Sequence, residues 1–150
     1  MRAVVQRVRK ADVTINGTEN RSIGKGFLVL LGITHEDTVA DAEWLCGKIA
    51  RMRVFADEQG LMNKALEEIG GELLLISQFT LHASTKKGNR PSFITAARPE
   101  TAIPLYKECI LQFENMLPGK VTTGEFGADM QVNLINDGPV TIIIDSKNPE

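Results

Sequence analysis

The chain has 150 residues, of which 43% are hydrophobic and 24% are charged, and its formal net charge is −2. These proportions are typical of a globular protein and exclude a disordered tail or an array of polar repeats. The length predicts a single domain over residues 1–150. A negative net charge excludes a general electrostatic attraction to nucleic acid, so any RNA contact must use a local patch.

Nothing in the sequence indicates a membrane or secretory location. The longest apolar run, residues 27–33, is far shorter than a membrane span, and the first residues lack the apolar block of a signal peptide. Cys46 and Cys109 are far apart and form no CxxC pattern. We therefore expect no disulfide framework and a cytoplasmic location.

The first third of the chain has the pattern of strands. Apolar and polar residues alternate through residues 4–10 and 11–15, which is typical of a half-buried strand. Asn16-Gly17 predicts a two-residue hairpin turn leading into a strand over about 19–23. Residues 27–33 predict a strand that is buried on both faces.

The middle and the end of the chain mix helices and strands. Helical spacing predicts an amphipathic helix from Val39 to Met52, capped by Asp37 or Thr38, and a second long helix from Pro99 to Pro118. Further elements are expected as a short strand near 54–55, a short helix over 63–69, an apolar strand over 73–81, an irregular loop over 82–98, and strands over 130–135 and 140–144. This order predicts an α+β fold with a mostly antiparallel sheet and two main helices.

Most catalytic signatures are absent. His35 and His82 share no ligand spacing with the cysteines, so we expect no metal site, and each histidine is interpreted as a surface or capping residue. Gly24-x-Gly26 precedes a strand and not a helix, which argues against a phosphate loop. We expect no cofactor.

Ser77, Gln78, Phe79 and Thr80 interrupt an otherwise apolar strand near its end. One interpretation is a strand that leaves the core with its polar residues turned outward. The other is an active site, where hydroxyls and backbone N–H groups face a reacting carbonyl.

Two further segments allow more than one interpretation. Residues 136–141, Asn-Asp-Gly-Pro-Val-Thr, read as an ordinary hairpin turn, and the Gly138-Pro139 bond is expected to be trans because few X–Pro bonds are cis. Lys86, Lys87 and Arg90 form either a phosphate-contacting patch or a solvated loop.

Taken together, the sequence resembles the D-aminoacyl-tRNA deacylase family along nearly its whole length. The resemblance rests on Gln6-Arg7-Val8, on Ser77-Gln78-Phe79-Thr80-Leu81, on Arg90-Pro91-Ser92-Phe93, on the segment Thr123-Gly124-x-Phe126-x-Ala128-Asp129-Met130, and on Asn136-Asp137-Gly138-Pro139-Val140-Thr141. It implies a barrel-like sheet, a two-fold homodimer, and hydrolysis of the ester that joins a D-amino acid to the 3′ end of tRNA. Glycine misattached to the alanine tRNA is a further substrate that the resemblance implies.

The resemblance also implies roles for particular residues. Gly138 and Pro139, joined by a cis bond, would project from one subunit into the site of the other and hold the substrate's α-amino group with their backbone carbonyls. An L side chain would then collide with this backbone, which is selection by clash. Arg7 would brace the Gly-Pro motif, and Lys86, Lys87 and Arg90 would contact tRNA.

The catalytic segment is then Ser77, Gln78, Phe79 and Thr80. A serine or threonine nucleophile needs a base, and the sequence supplies no certain one, although His82 would share a face with Thr80 on a strand. We therefore expect the 2′-hydroxyl of the terminal ribose to assist or position water, with backbone N–H groups near Phe79 and Thr80 stabilising the oxyanion. Phe79 either stacks on the terminal adenine or fills the core.

Two alternatives stay open at this point. One is a related deacylase of relaxed selectivity that acts on small L-aminoacyl-tRNA. The other is a non-catalytic RNA-binding dimer module. Neither membrane nor DNA is an expected partner.

Overall fold

The computed structural model describes residues 1–149, and its sheet is organised around the first strand, β1 (Arg2–Ile15). β1 is one continuous strand of 14 residues because its inward positions are apolar throughout, with Ala3, Val5, Val8, Ala11 and Val13 all buried. Asn16 and Gly17 both have positive φ and turn the chain into β2 (Glu19–Ile23), as their residue types predict.

β1 is long enough to pair with several strands. On one edge of β1, residues 2–8 pair with β3 (Gly26–Gly32) and residues 11–15 pair with β2. Both pairings are antiparallel. After β4 (Phe55–Ala56) and β5 (Met62–Lys64), which form a small separate hairpin, the sheet continues with β6 (Glu72–Ser77), which is parallel to β3. β7 (Val121–Thr123) is parallel to β6.

The other edge of β1 pairs antiparallel with β8 (Met130–Asp145) along almost its whole length. The order in the large sheet is β2-β1-β3-β6-β7, with β8 on the second edge of β1. Arg21 of β2 donates to the carbonyls of Thr123, the last residue of β7, and of Gly124, at 2.8 and 3.3 Å. The sheet therefore curls into a nearly closed barrel, and the expectation of a mostly antiparallel, barrel-like α+β fold with two main helices is confirmed.

Helix α1 (Val39–Ala50) and helix α2 (Pro99–Met116) pack together against one face of the sheet. Thr38 begins α1 with a capping box to Asp41, and Pro99 occupies the first turn of α2. The two helices and β1, β3 and β6 enclose the main core, which includes Cys46 and Cys109 as buried free thiols. A second, smaller core lies between the second half of β1 and the faces of β3 and β6 that point away from the helices.

Three sequence predictions about elements are wrong. Residues 63–69 are not a helix, because β5 takes up the start of this range and only Glu67–Ile69 forms a single 3₁₀ turn. The strand predicted over 73–81 ends at Ser77 and is followed by a 3₁₀ helix, Phe79–His82. The two strands predicted over 130–135 and 140–144 are one strand, β8.

Among residues 1–149, no helix is long and apolar enough to cross a membrane.

Candidate active site

The first part of the candidate site lies where β6 ends. Ser77 is the last residue of β6 and pairs with Leu31 of β3. The next residue, Gln78, donates its N–H to the carbonyl of Leu31 at 2.7 Å, and its own carbonyl accepts from the N–H of Leu81 at 3.2 Å. These two bonds turn the chain out of the sheet and into the Phe79–His82 helix.

The start of this short helix leaves two backbone donors free. Phe79 and Thr80 are its first two residues, and the first N–H groups of a helix have no carbonyl partner within it. Among residues 1–149, neither of these N–H groups donates to a backbone carbonyl outside the helix, and Gln78 makes no side-chain cap. Two adjacent N–H groups without an acceptor can bind one oxygen that carries negative charge.

The side chains around these donors are held in different ways. The Gln78 side-chain amide donates to the hydroxyl oxygen of Thr80 at 2.5 Å. Phe79 is 56% exposed, and its ring meets the ring of Phe93 edge-on, with centroids 5.2 Å apart. Phe79 therefore does not fill the core, and its face is available to a ligand.

Arg2 fixes the far end of the helix. Its guanidinium donates to the carbonyl of Leu81 at 2.9 Å and forms an ion pair with Asp145 at 2.9 Å. The Phe79–His82 helix is thus tied to β3 at its start and to the ends of β1 and β8 at its finish.

His82 is buried, so its interpretation as a surface or capping residue is wrong. Its ring lies so close to Gly32 that a Cβ there would be 2.9 Å from Cδ2. Its Nε2 atom has no hydrogen-bond partner among residues 1–149. Burial lowers the pKa of His82, against the opposing effect of the Gly32 backbone, and the positive charge of Arg2 lowers it further. Because His82 is the last residue of a 3₁₀ helix and not part of a strand, its side chain does not share a strand face with Thr80, and no hydrogen bond joins the two side chains.

The second part of the candidate site is a projecting segment of β8. Gln6 pairs with Thr141 and Val8 with Asn136, so residues 137–140 lie opposite Arg7 alone. This bulge replaces the hairpin turn that residues 136–141 predicted. The Gly138-Pro139 bond at its exposed tip is cis, as the family resemblance implies and contrary to the expectation from X–Pro frequencies.

Side chains on both sides hold the bulge. Arg7 donates to the carbonyl of Asp137 at 3.0 Å and to that of Val54 at 2.5 Å. The Asn136 side chain accepts from the N–H of Val140 at 3.1 Å. Gly138 has φ of +127°, and a Cβ on it would lie 2.9 Å from the Arg7 guanidinium. The glycine is therefore required both by the backbone conformation and by the close approach of Arg7.

The two parts of the site lie at different positions along β1 within one chain, one at the start of the strand and the other near its middle. Arg2 contacts the Phe79–His82 helix, whereas Arg7 contacts the Gly138-Pro139 tip. These two arginines are five positions apart on the strand, which corresponds to a distance of about 16 Å. The structure of one chain therefore does not bring Gly138 and Pro139 together with Ser77, Gln78, Phe79 and Thr80.

The predicted phosphate-contacting residues are all exposed. Lys86, Lys87 and Arg90 lie on the loop after the Phe79–His82 helix, whose ends are joined by a bridge between Ser84 and Ser92. Lys86 also lines a cavity of about 740 Å³ beside His82. Among residues 1–149, no three His, Cys, Asp or Glu side chains are close enough together to hold a metal ion.

Sequence reasoning missed four parts of the site. Arg2, Phe93, the carbonyl of Val54 and Asn136 all hold functional candidates in place. The contacts of Arg2 with Leu81 and of Arg7 with Val54 join residues 79 and 47 positions apart and end on backbone carbonyls, so no local pattern reveals them. Asn136 could have been found, since an asparagine that bonds a nearby backbone N–H is typical of turns.

Comparisons with known proteins agree over the whole chain. The family model described as D-Tyr-tRNA(Tyr) deacylase matches residues 4–145. The chain is 65% identical to a D-aminoacyl-tRNA deacylase of Cytophaga hutchinsonii and 58% identical to one of Bacteroides thetaiotaomicron, and each match covers 100% of both chains.

Solved structures share the fold. The c-Myc DNA Unwinding Element Binding Protein superposes with a TM-score of 0.91 at 44% identity, over 97% of this chain and 98% of that one. A probable eukaryotic D-amino acid tRNA deacylase superposes with a TM-score of 0.82 over 95% of this chain and 97% of that one. Its identity of 16% shows the fold alone.

Proposed function

The chain belongs to the D-Tyr-tRNA(Tyr) deacylase family, and from this membership we propose that it is an enzyme that hydrolyses the ester of D-aminoacyl-tRNA. The products are a free D-amino acid and tRNA, and the cytoplasm is where it is expected to act. The observation that carries this proposal is the end-to-end match to relatives named for this activity.

For the chemical step, the free N–H groups of Phe79 and Thr80 would bind the oxygen of the scissile carbonyl as it becomes negatively charged. Removing one such donor from an enzyme typically lowers the rate by about 10²–10³. Among residues 1–149, no base is hydrogen-bonded to Thr80, because Gln78 offers it a donor and His82 is turned toward Gly32. This favours attack by water that the 2′-hydroxyl of the terminal ribose assists or positions, and it argues against a threonine nucleophile.

For selectivity, the backbone carbonyls of Gly138 and Pro139 would hold the α-amino group of the substrate. The tip is exposed, and Arg7 and Asn136 hold its backbone, so it can act as a rigid wall. An L side chain would collide with this wall, whereas a D side chain or the hydrogen of glycine would not. Glycyl esters on the alanine tRNA would therefore also be substrates.

The active enzyme would be a two-fold homodimer in which each tip completes the site of the other subunit. The separation of the tip from the Phe79–His82 helix along β1 supports this arrangement. So does β8, which within residues 1–149 pairs with β1 alone and exposes 70% of Ile143 next to Val4 of β1. One contact of this kind implies a second by symmetry, which gives two sites for each dimer.

Lys86, Lys87 and Arg90 would contact phosphates of the tRNA near its 3′ end. With so few cations involved, the affinity should fall with salt along a shallow slope. Lys86 and Lys87 follow the Phe79–His82 helix by a few residues, which would place such contacts close to the ester.

The deciding experiment compares the deacylation of D-tyrosyl-tRNA and L-tyrosyl-tRNA by the purified protein. Rapid loss of the D ester alone is the expected result. Loss of the L ester would contradict the assignment of the Gly138-Pro139 tip, and binding of tRNA without loss of either ester would favour the non-catalytic module.

The negative net charge of the chain does not favour DNA as a ligand.

A further inference from the structure

The side chain of Gln78 starts from a backbone that cannot move independently of the sheet. Its N–H is bonded to Leu31 of β3 and its carbonyl to the N–H of Leu81. Its φ and ψ are −143° and 80°, which is neither helical nor regular strand geometry, and the chain leaves β6 at this residue. The residue is half-buried. Whatever its amide contacts is therefore held in a fixed position relative to the two free N–H groups.

The Gln78 amide contacts the hydroxyl of Thr80, and the direction of this bond matters. The amide nitrogen donates and the hydroxyl oxygen accepts, at 2.5 Å. A threonine hydroxyl has one proton and two lone pairs. Because one lone pair receives the amide proton, the hydroxyl's own proton must point elsewhere, and within residues 1–149 the hydroxyl makes no second hydrogen bond.

The hydroxyl proton is therefore available to a ligand. Thr80 also provides one of the two free N–H groups, so its hydroxyl lies beside them on the same residue. A carbonyl oxygen bound by these N–H groups has capacity for a further donor as its charge increases in the transition state. A hydroxyl in this position is suited to donate a hydrogen bond, and it has no base that would make it a nucleophile.

We propose that Gln78 is a positioning residue that turns the Thr80 hydroxyl into a third hydrogen-bond donor for the oxygen of the scissile carbonyl. This inference rests on the proposed function of the site. Gln78 touches no reacting atom and acts only through the direction that it imposes on Thr80. Its amide is needed because an acceptor in its place would take the hydroxyl proton away from the substrate.

The test is the variant Gln78→Glu, which has nearly the same shape. An ionised carboxylate is an acceptor only, so it would draw the Thr80 proton toward itself and lower kcat by about 10- to 100-fold at neutral pH. When the carboxyl is protonated at lower pH it can donate again. Activity of Gln78→Glu relative to the unaltered enzyme should therefore rise as the pH falls through the carboxyl's pKa, whereas Gln78→Met should show a loss that does not change with pH.

The Gln78→Glu substitution in proteins that also carry a change at Thr80 distinguishes a positioning role from support of the fold. In Thr80→Val, which has no hydroxyl, Gln78→Glu should cause no further loss of kcat, and in Thr80→Ser the pH effect should persist. Equal pH profiles for the Glu and Met variants, or a full effect of Gln78→Glu in the valine background, would overturn the proposal. Thermal unfolding of each variant shows whether it has folded.

One readout does not depend on activity. In the unaltered protein, the side-chain amide protons of Gln78 should give an NMR signal that shifts when Thr80 is replaced by valine. An unchanged signal would overturn the inference even in an active enzyme. If Thr80→Val shifts the signal but the unaltered protein hydrolyses no D-aminoacyl ester, the contact between Gln78 and Thr80 exists and the proposed function is contradicted instead. The assigned role of the hydroxyl is then overturned as well.

Discussion

At the scale of single residues, the free N–H of Phe79 offers the most direct test of the proposed chemistry. Proline at this position removes the N–H while fitting the first position of a helix, and Gln78 lies outside the helical region that a following proline disfavours. Phe79→Ala removes the ring but keeps the N–H. We expect kcat of Phe79→Pro to be about 10²–10³ below that of Phe79→Ala.

Single-turnover deacylation of D-tyrosyl-tRNA measures this difference. Equal rates for Phe79→Pro and Phe79→Ala, in proteins with equal thermal stability, would mean that the N–H does not bind the oxyanion. A low rate for both would assign the effect to the aromatic ring.

Gly138 is the residue whose replacement should affect selectivity and stability together. Gly138→Ala places a side chain at φ of +127° and within 2.9 Å of the Arg7 guanidinium, and such a conformation costs a non-glycine residue about 1–3 kcal/mol. The tip should shift, and the ratio of D to L ester hydrolysis should fall. Gly127→Ala is the matched control, because its φ is +77° and no atom of the described residues 1–149 lies within 4 Å of the added Cβ. An unchanged ratio in Gly138→Ala would contradict the proposed filter.

His82 makes stability depend on pH in a defined direction. Burial lowers its folded-state pKa below the usual 6.5, so the unfolded chain binds more protons as the pH falls through 6.5. The free energy of unfolding should therefore decrease as the pH falls from about 7.5 through 6.5 and below. Arg2 and the N-terminal amine oppose protonation, and Asp37 favours it.

Urea unfolding at a series of pH values measures this slope. His82→Gln should flatten it, whereas His35→Gln, which changes an exposed histidine, should leave it in place. The same slope in both variants would show that other groups are responsible.

At the scale of elements, the position of the Phe79–His82 helix depends on Arg2. Arg2→Met removes the bond to the Leu81 carbonyl and the ion pair with Asp145. Since the Arg2 side chain is 39% exposed, we expect a loss of only about 1 kcal/mol in stability. Activity should fall more than stability, because the helix would move relative to β3. Hydrogen exchange at the amides of residues 79–83 should become faster.

Arg53→Met is the control for this change. Arg53 makes a similar bond, to the carbonyl of Asn63 at 2.7 Å, next to the β4–β5 hairpin. Equal effects of the two substitutions on activity would mean that Arg2 has no special relation to the site.

The elements also show how far the sequence could be interpreted. The buried strand β3, the helix α1 with its cap at Thr38, and the start of α2 at Pro99 follow from local patterns of burial and capping. Ser77, Gln78, Phe79 and Thr80 were recognisable as an interruption of an apolar strand. Their 3₁₀ helix was not, because the bond from Gln78 to Leu31 that ends the strand depends on a distant neighbour.

The bulge in β8 is a similar case. Asn136, Asp137, Gly138 and Pro139 are residue types that form turns, so a local interpretation divides β8 in two. Only pairing with β1 on both sides of the bulge keeps it one strand. The contact of Arg7 with this bulge spans 130 positions of sequence and could be inferred only from the family resemblance.

At the scale of the whole molecule, mixed dimers test whether the site is shared between subunits. If the tip of one subunit serves the other, a dimer of one Phe79→Pro and one Gly138→Ala subunit contains one intact site and one site with both changes. Mixed dimers separated after refolding an equal mixture should keep the D to L ratio of the unaltered enzyme at about half its activity, because their one working site has neither change. A lowered ratio in the mixed dimers, like that of Gly138→Ala alone, would contradict a shared site.

The pairing of β1 with β8 has a consequence for biosynthesis. β1 is made first, yet its longest partner begins about 115 residues after β1 ends. Until β8 has emerged from the ribosome, one whole edge of β1 lacks its hydrogen bonds, and the barrel stays open. Contacts between such distant segments also slow folding. We expect the nascent chain to expose an unpaired strand edge for most of its synthesis, which makes it a candidate client of chaperones that bind extended chains.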